Sequence, residues 1–249
     1  MKVLRIIAAV ALGLALLGSQ AIAMNAARGS GPDFGHWAVL LVSGDNRAHS
    51  GAPSHVFDNA RHDLAKAFAK MGFSPANMEQ FAIEDHGAHP AEIASIAQTF
   101  RDLARRAPAG CLIYFTSHGA PRGIVVGDDL ISPRTIARIV DGVCGKKPAV
   151  VVMSACYSGQ FVGPLAAPNR IILTASRADR ASFGCGEMDR YTYFDDCFLR
   201  AIPYADDFAS LGGQVQGCVR EMEEETGATP PSQPQLRVGP DVVFTLRYK

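Results

Sequence analysis

Apolar residues in this chain gather in short unbroken runs, separated by segments in which they recur at helical spacing. The runs 37-WAVLLVS-43, 149-AVVVMS-154, 170-RIILTAS-176 and the one ending at Thr116 are rich in β-branched residues. That is the composition of strands covered on both faces. Between them, residues 55–71 mix Phe57, Leu64, Phe68 and Met71 with charged side chains and stop at Gly72, which predicts a helix. A short strand is expected at 79-EQFAI-83. Pro90 opens a second helix with Ile93, Ile96, Phe100 and Leu103 on one face. A hairpin at 124–131, a helix from Pro133 to about Val143, and helices near 192–202 and 206–225 follow. After a Pro-rich connector at 229–234, 242-VVFTLRY-248 is expected to close the chain as a strand. Residues 24–35 read as a flexible leader. The turn-forming stretch 44–54 is long enough to be a functional loop. Strands alternating with helices predict an α/β fold whose central sheet is mostly parallel, with helices on both faces.

Two of the strands end in chemistry. Their continuations, 117-SHG-119 and 155-ACYSG-159, place a histidine and a cysteine just past the apolar runs, where open α/β sheets build their crevice. Neighbouring parallel strands lie about 4.8 Å apart, so side chains from adjacent strand ends can share one substrate. A thiol becomes a nucleophile as thiolate and needs a base beside it. His118 is the candidate base and Cys156 the candidate nucleophile. Gly119, without a Cβ, lets a carbonyl approach the backbone, and its amide joins that of Cys156 as an oxyanion donor.

The first 23 residues have a basic start at Lys2 and Arg5, an apolar run from Ile6 to Leu17, and 21-AIA-23, the pattern of a signal peptide. A retained anchor is the alternative. Residues 24–249 are expected to form one domain, exported to the periplasm or secreted. Losing Lys2 and Arg5 leaves 22 basic against 24 acidic residues, a net charge of −2 with no basic block. This argues against a nucleic-acid partner. After signal removal no stable membrane span is expected.

Six cysteines occur, and export permits disulfides. With Cys156 free, at most two bridges form. Cys111 opens an apolar strand and reads as a buried thiol, leaving Cys144, Cys185, Cys197 and Cys218 with three possible pairings. His86 and His89 have metal-ligand spacing but too few partners nearby, and read as a solvated loop. The run 221-EMEEE-225 reads as a solvated helix end. No metal and no cofactor is expected.

The Ser-His-Gly and Ser-Ala-Cys-Tyr-Ser-Gly segments, 37-WAVLLVSG-44, 173-LTAS-176 and 192-TYFDD-196, taken in order, resemble the legumain-type cysteine peptidases, relatives of the caspases. The resemblance runs from Trp37 to about Phe198. It implies a caspase-like three-layer sandwich, and a thiol peptidase in which Cys156 attacks peptide bonds, His118 serves as acid and base, and the Gly119 amide completes the oxyanion hole. It also implies a substrate pocket that draws on Asp196, Ser176, Ser154 and His55.

The chain departs from the family in that pocket. Family members carry an Asn-x-Arg-His run where this chain has 52-APSH-55, and a glutamate where it has Ser154. The arginine and glutamate are lost together, so neither is left as an unpaired buried charge. Two preferences remain open for the residue before the scissile bond: Asn or Asp if Arg47 enters from the long loop, and Lys or Arg if Asp196 acts alone. A non-catalytic binding module, a transpeptidase and a small-molecule amidase are the rival functions.

Overall fold

The computed structural model describes residues 32–84, 87–243 and 245–249. The expected signal peptide at 1–23 and residues 24–31 of the expected leader lie outside them. The strands are β1 (Trp37–Ser43), β2 (Met78–Ala82), β3 (His89–Pro90), β4 (Gly110–Thr116), β5 (Gly119–Ala120), β6 (Gly123–Val126), β7 (Asp129–Ile131), β8 (Ala149–Ser154), β9 (Arg170–Thr174) and β10 (Gln235–Val238). The helices are α1 (Val56–Lys70), α2 (Ile93–Arg106), α3 (Pro133–Cys144), the single turn α4 (Val162–Leu165), α5 (Tyr193–Ala201) and α6 (Phe208–Thr226).

Among the described residues, seven strands form the main sheet in the order β10-β9-β8-β4-β1-β2-β3. All neighbours are parallel except β10, which runs antiparallel to β9. β5, β6 and β7 make a small antiparallel sheet beside the crevice.

Every residue of β1, β4, β8 and β9 is buried, and their side chains divide by parity into two cores. Val39, Leu41, Tyr114 and Val152 face one way, packing with Phe68 of α1, Phe198 of α5 and Phe208 of α6. Leu40, Val42, Phe115 and Met153 face the other, with Phe100 of α2 and Val140 of α3. Burying each such side chain is worth about 1.5–3 kcal/mol, so the sheet is held from both sides. Helix starts follow local chemistry. The hydroxyl of Ser132 accepts from the Thr135 amide with Pro133 in the first turn, and Asp207 and Ser210 form a reciprocal cap on α6.

Several details differ from the sequence expectation. Pro90 does not open α2; it lies on the edge strand β3, where a missing N–H costs no ladder bond, and the helix begins at Ile93. The closing strand is displaced: β10 takes the edge of β9 directly after the Pro-rich connector. Residues 242, 243 and 245–248 therefore do not form it, and Val242 and Leu246 still bury in the core. The described end of the leader, residues 32–35, is packed down, because Phe34 is buried and stacks on Phe73 at 4.5 Å. Glu223 is not a solvated acid; it is buried and accepts from the Ser232 amide at 3.0 Å.

The disulfides also correct the reading. Cys111 bonds Cys144, tying β4 to the end of α3, and Cys197 bonds Cys218, tying α5 to α6. Cys111 points to the face that α3 covers, so its burial reflects a bridge. Cys156 and Cys185 stay free.

Candidate active site

β4 and β8 pair in parallel register, with Thr116 opposite Ser154 as the last pair, and the Ser117 amide extends the ladder to the Ser154 carbonyl at 3.1 Å. His118 and Cys156 each lie two residues beyond that pair. The two segments then touch. A Cβ placed on Gly119 would sit 2.1 Å from the Cys156 carbonyl oxygen, so only glycine allows the approach. The sharp turn after Cys156 is made by Tyr157, whose φ of 58° lies in the left-handed region that most side chains avoid. Two contacts hold it: the Tyr157 amide donates to the Arg180 carbonyl at 2.7 Å, and Gln160 Nε2 donates to the Ala120 carbonyl at 2.7 Å.

The His118 ring is fixed on two sides. Nε2 lies 2.9 Å from the Arg47 carbonyl, and Phe57 of α1 meets the ring edge-to-face at 5.0 Å. A carbonyl oxygen only accepts, so Nε2 carries the proton and Nδ1 is the basic nitrogen of the neutral ring. The half-buried sulfur of Cys156 meets Ser182: the Ser182 amide donates to Sγ at 3.2 Å, and the Ser182 carbonyl lies 3.5 Å away.

Ser182 belongs to the segment 177–190, which is laced across the neighbouring loop. The His49 amide donates to the Cys185 carbonyl at 3.1 Å, Ser50 Oγ donates to Glu187 at 2.6 Å, and Asn59 Nδ2 donates to the Arg190 carbonyl at 3.2 Å. At the end of this segment Tyr191 Oη donates to Asp63 of α1 at 2.5 Å, beside Lys66 and Arg190.

The tyrosine hydroxyl, more than either cation, lowers the Asp63 carboxyl from its ordinary 3.8 to about 2. Since the folded value lies below the unfolded one, the anchor adds stability above about pH 4 and loses it as pH falls towards 2. Tyr191→Phe is expected to cost about 1 kcal/mol at neutral pH after solvent screening, and much less near pH 2. Denaturant melts at both pH values measure this.

Cys185 sits on the same segment. Burial, with smaller help from Cys156 and Asp189, pushes its thiol up to about 11. Roughly one molecule in ten thousand then carries a Cys185 thiolate at pH 7. Iodoacetamide at pH 7 is expected to alkylate Cys156 well before Cys185, as peptide mass mapping would read; equal labelling would contradict this.

The residues expected to bind substrate separate. Arg47 reaches the site, but through its carbonyl, with an exposed side chain. Ser176 is fully buried; its hydroxyl accepts from the Ser158 amide and donates to the Ala155 carbonyl, bracing the turn from behind. Ser154 is buried, its hydroxyl 3.4 Å from that of Thr192. Both correct the expectation of open pocket walls. His55 is exposed at the start of α1, bordering a small recess with Ser43, Ser54 and Asp58. Asp196 also departs from expectation: it turns outward to Arg200, one helical turn on, at 3.4 Å.

The acid beneath the site is its neighbour Asp195, fully buried and bonded to Tyr114 and Thr116. The sequence carried a signal for it. Thr192 caps α5 by accepting from the Asp195 amide, and Asp195 lies three residues before Phe198, on the apolar face. His86 lies outside the described residues, and His89 pairs with Glu79 at 3.2 Å. Among the described residues no three candidate ligands gather for a metal ion, and no helix is long and apolar enough to cross a membrane.

The arrangement of sheet and helices is that of the caspase-like peptidases. The crystal structure of caspase-1 from Spodoptera frugiperda superposes with a TM-score of 0.59 at 15% sequence identity, over 82% of this chain and 86% of that one. Residues 101–212, the stretch holding both His118 and Cys156, match the model of the Peptidase C13 family, which is the legumain family. The chain is a cysteine-type peptidase with a caspase-like fold, and its resemblance to the legumain-type enzymes is borne out over that stretch. No curated protein sequence matches it significantly.

Proposed function

We propose that the chain is an exported endopeptidase in which Cys156 and His118 form the catalytic dyad. The observation that carries this reading is the common register of the two strand ends, with the Gly119 backbone against the Cys156 carbonyl. His118 Nδ1 takes the thiol proton, the thiolate attacks the peptide carbonyl, and the oxyanion rests on the amides of Cys156 and Gly119. Each such donor is worth about 3 kcal/mol in the transition state. The same nitrogen returns the proton to the leaving amine, and water hydrolyses the thioester. The Arg47 carbonyl keeps the imidazole in the tautomer this requires.

Substrates in this reading are peptides or proteins, met in the periplasm or outside the cell. The pattern of residues 1–23 supports export. For the residue before the scissile bond, Arg47 supports Asn or Asp, since its backbone is pinned against His118 and its side chain is exposed. Asp195 cannot serve a basic residue, being sealed from solvent, and Asp196 faces Arg200. A peptide library varied at that position is expected to be cut after Asn or Asp. Cutting after Lys or Arg would overturn the specificity, and no peptide cleavage would overturn the function.

A further inference from the structure

We propose that Asp195 is a positioning residue that fixes the end of β4, and with it the placement of His118 relative to Cys156. The inference rests on the dyad reading above. Tyr114 Oη donates to one carboxylate oxygen at 2.7 Å and Thr116 Oγ1 to the other at 2.6 Å. Ser154 Oγ of β8 lies 3.4 Å from the hydroxyl of Thr192, which caps α5 by accepting from the Asp195 amide. Thr116 and Ser154 are the last register pair of the two strands, each two residues before a member of the dyad. The start of α5 thus reaches both strand ends where the chain leaves the sheet, β4 through the Asp195 carboxylate and β8 through Thr192.

The chemistry is costly unless it serves something. Asp195 is fully buried in a core of Phe194, Phe198 and Tyr114, and the partners named above are uncharged. Burial holds its carboxyl above the ordinary range, against the pull of the hydroxyls, and burial together with Asp195 raises the phenol of Tyr114, the titratable group in contact with it. An apolar residue of similar size would avoid this cost. Asp195 cannot read substrate, since no part of it is exposed and its two oxygens accept from Tyr114 and Thr116. It holds the geometry on which proton transfer depends, where a displacement of about 1 Å can cost a hundredfold in rate.

The test is the pH profile of Cys156 alkylation by iodoacetamide, followed by peptide mass mapping, alongside thermal unfolding. Asp195→Asn is expected to slow Cys156 alkylation at pH 7 roughly tenfold and to move the acidic limb of the profile upward by about one unit, because the strand end carrying His118 is no longer held in place. Thr116→Val, which removes one donor and keeps the shape, is expected to move it part of the way. It also serves if Asp195→Asn does not fold. A lowered melting temperature with an unmoved profile in either folded variant would mean that Asp195 only stabilises the fold, and would overturn the inference. His118→Ala separates the two claims. If it leaves the profile unchanged, the dyad reading fails; if it moves the profile and Asp195→Asn does not, only the positioning role fails.

Discussion

Replacing Cys156 with alanine is expected to lower peptide turnover by about a thousandfold or more while the fold persists, since the thioester forms on its sulfur. The folded state has little to lose. The sulfur is half-buried, its recorded partners are the backbone and hydroxyl of Ser182, and both disulfides lie elsewhere. Circular dichroism and melting temperature should match the parent, so lost activity reads as lost chemistry. A variant that kept a tenth of the activity would move the nucleophile elsewhere, and Cys185 would be the first suspect. Its raised thiol makes it a poor one at neutral pH.

The second large effect comes from a single methyl group. Gly119→Ala puts a carbon 2.1 Å from the Cys156 carbonyl oxygen and 3.1 Å from the Ala155 Cβ. The methyl strikes backbone, so no side chain can swing aside to relieve it. The strand end carrying His118 and the turn carrying Cys156 must part by more than 1 Å to reach ordinary contact. Turnover is expected to fall about a hundredfold, with a rise in KM, because the Gly119 amide leaves the oxyanion position. Kinetics on a cleaved library peptide measure this; activity within threefold of the parent would show that the contact is not part of the site.

Much of this was legible in the residues. Fully apolar runs gave β1, β4, β8 and β9 to within a residue or two, because strands buried on both faces admit little else. His118 and Cys156 stand out in the sequence because each follows such a run directly. What escaped notice depended on contacts between distant segments. The strand expected at 242–248 lost its place to β10, since a sheet edge can be occupied once and the choice is made in three dimensions. Cys111 read as a buried thiol because nothing local announces that α3 will bring Cys144 over it.

The two aspartates at 195 and 196 show the limit most clearly. Aligned to a family motif, Asp196 is the pocket acid; by helical phase, Asp195 is the one that faces the sheet. One residue is 100° around a helix, enough to exchange a surface ion pair for a buried clamp. Helical phase, read from Phe198 and Ala201, is the physical signal a motif comparison leaves out.

The claim that Cys156 is the nucleophile and His118 its base is tested most directly by intact-protein and peptide mass spectrometry after incubation with a peptidyl acyloxymethyl ketone. The account predicts one covalent adduct, on Cys156, that forms in the parent chain and is lost in His118→Ala. An adduct on Cys185, or one on Cys156 that forms equally fast without the imidazole, would contradict it.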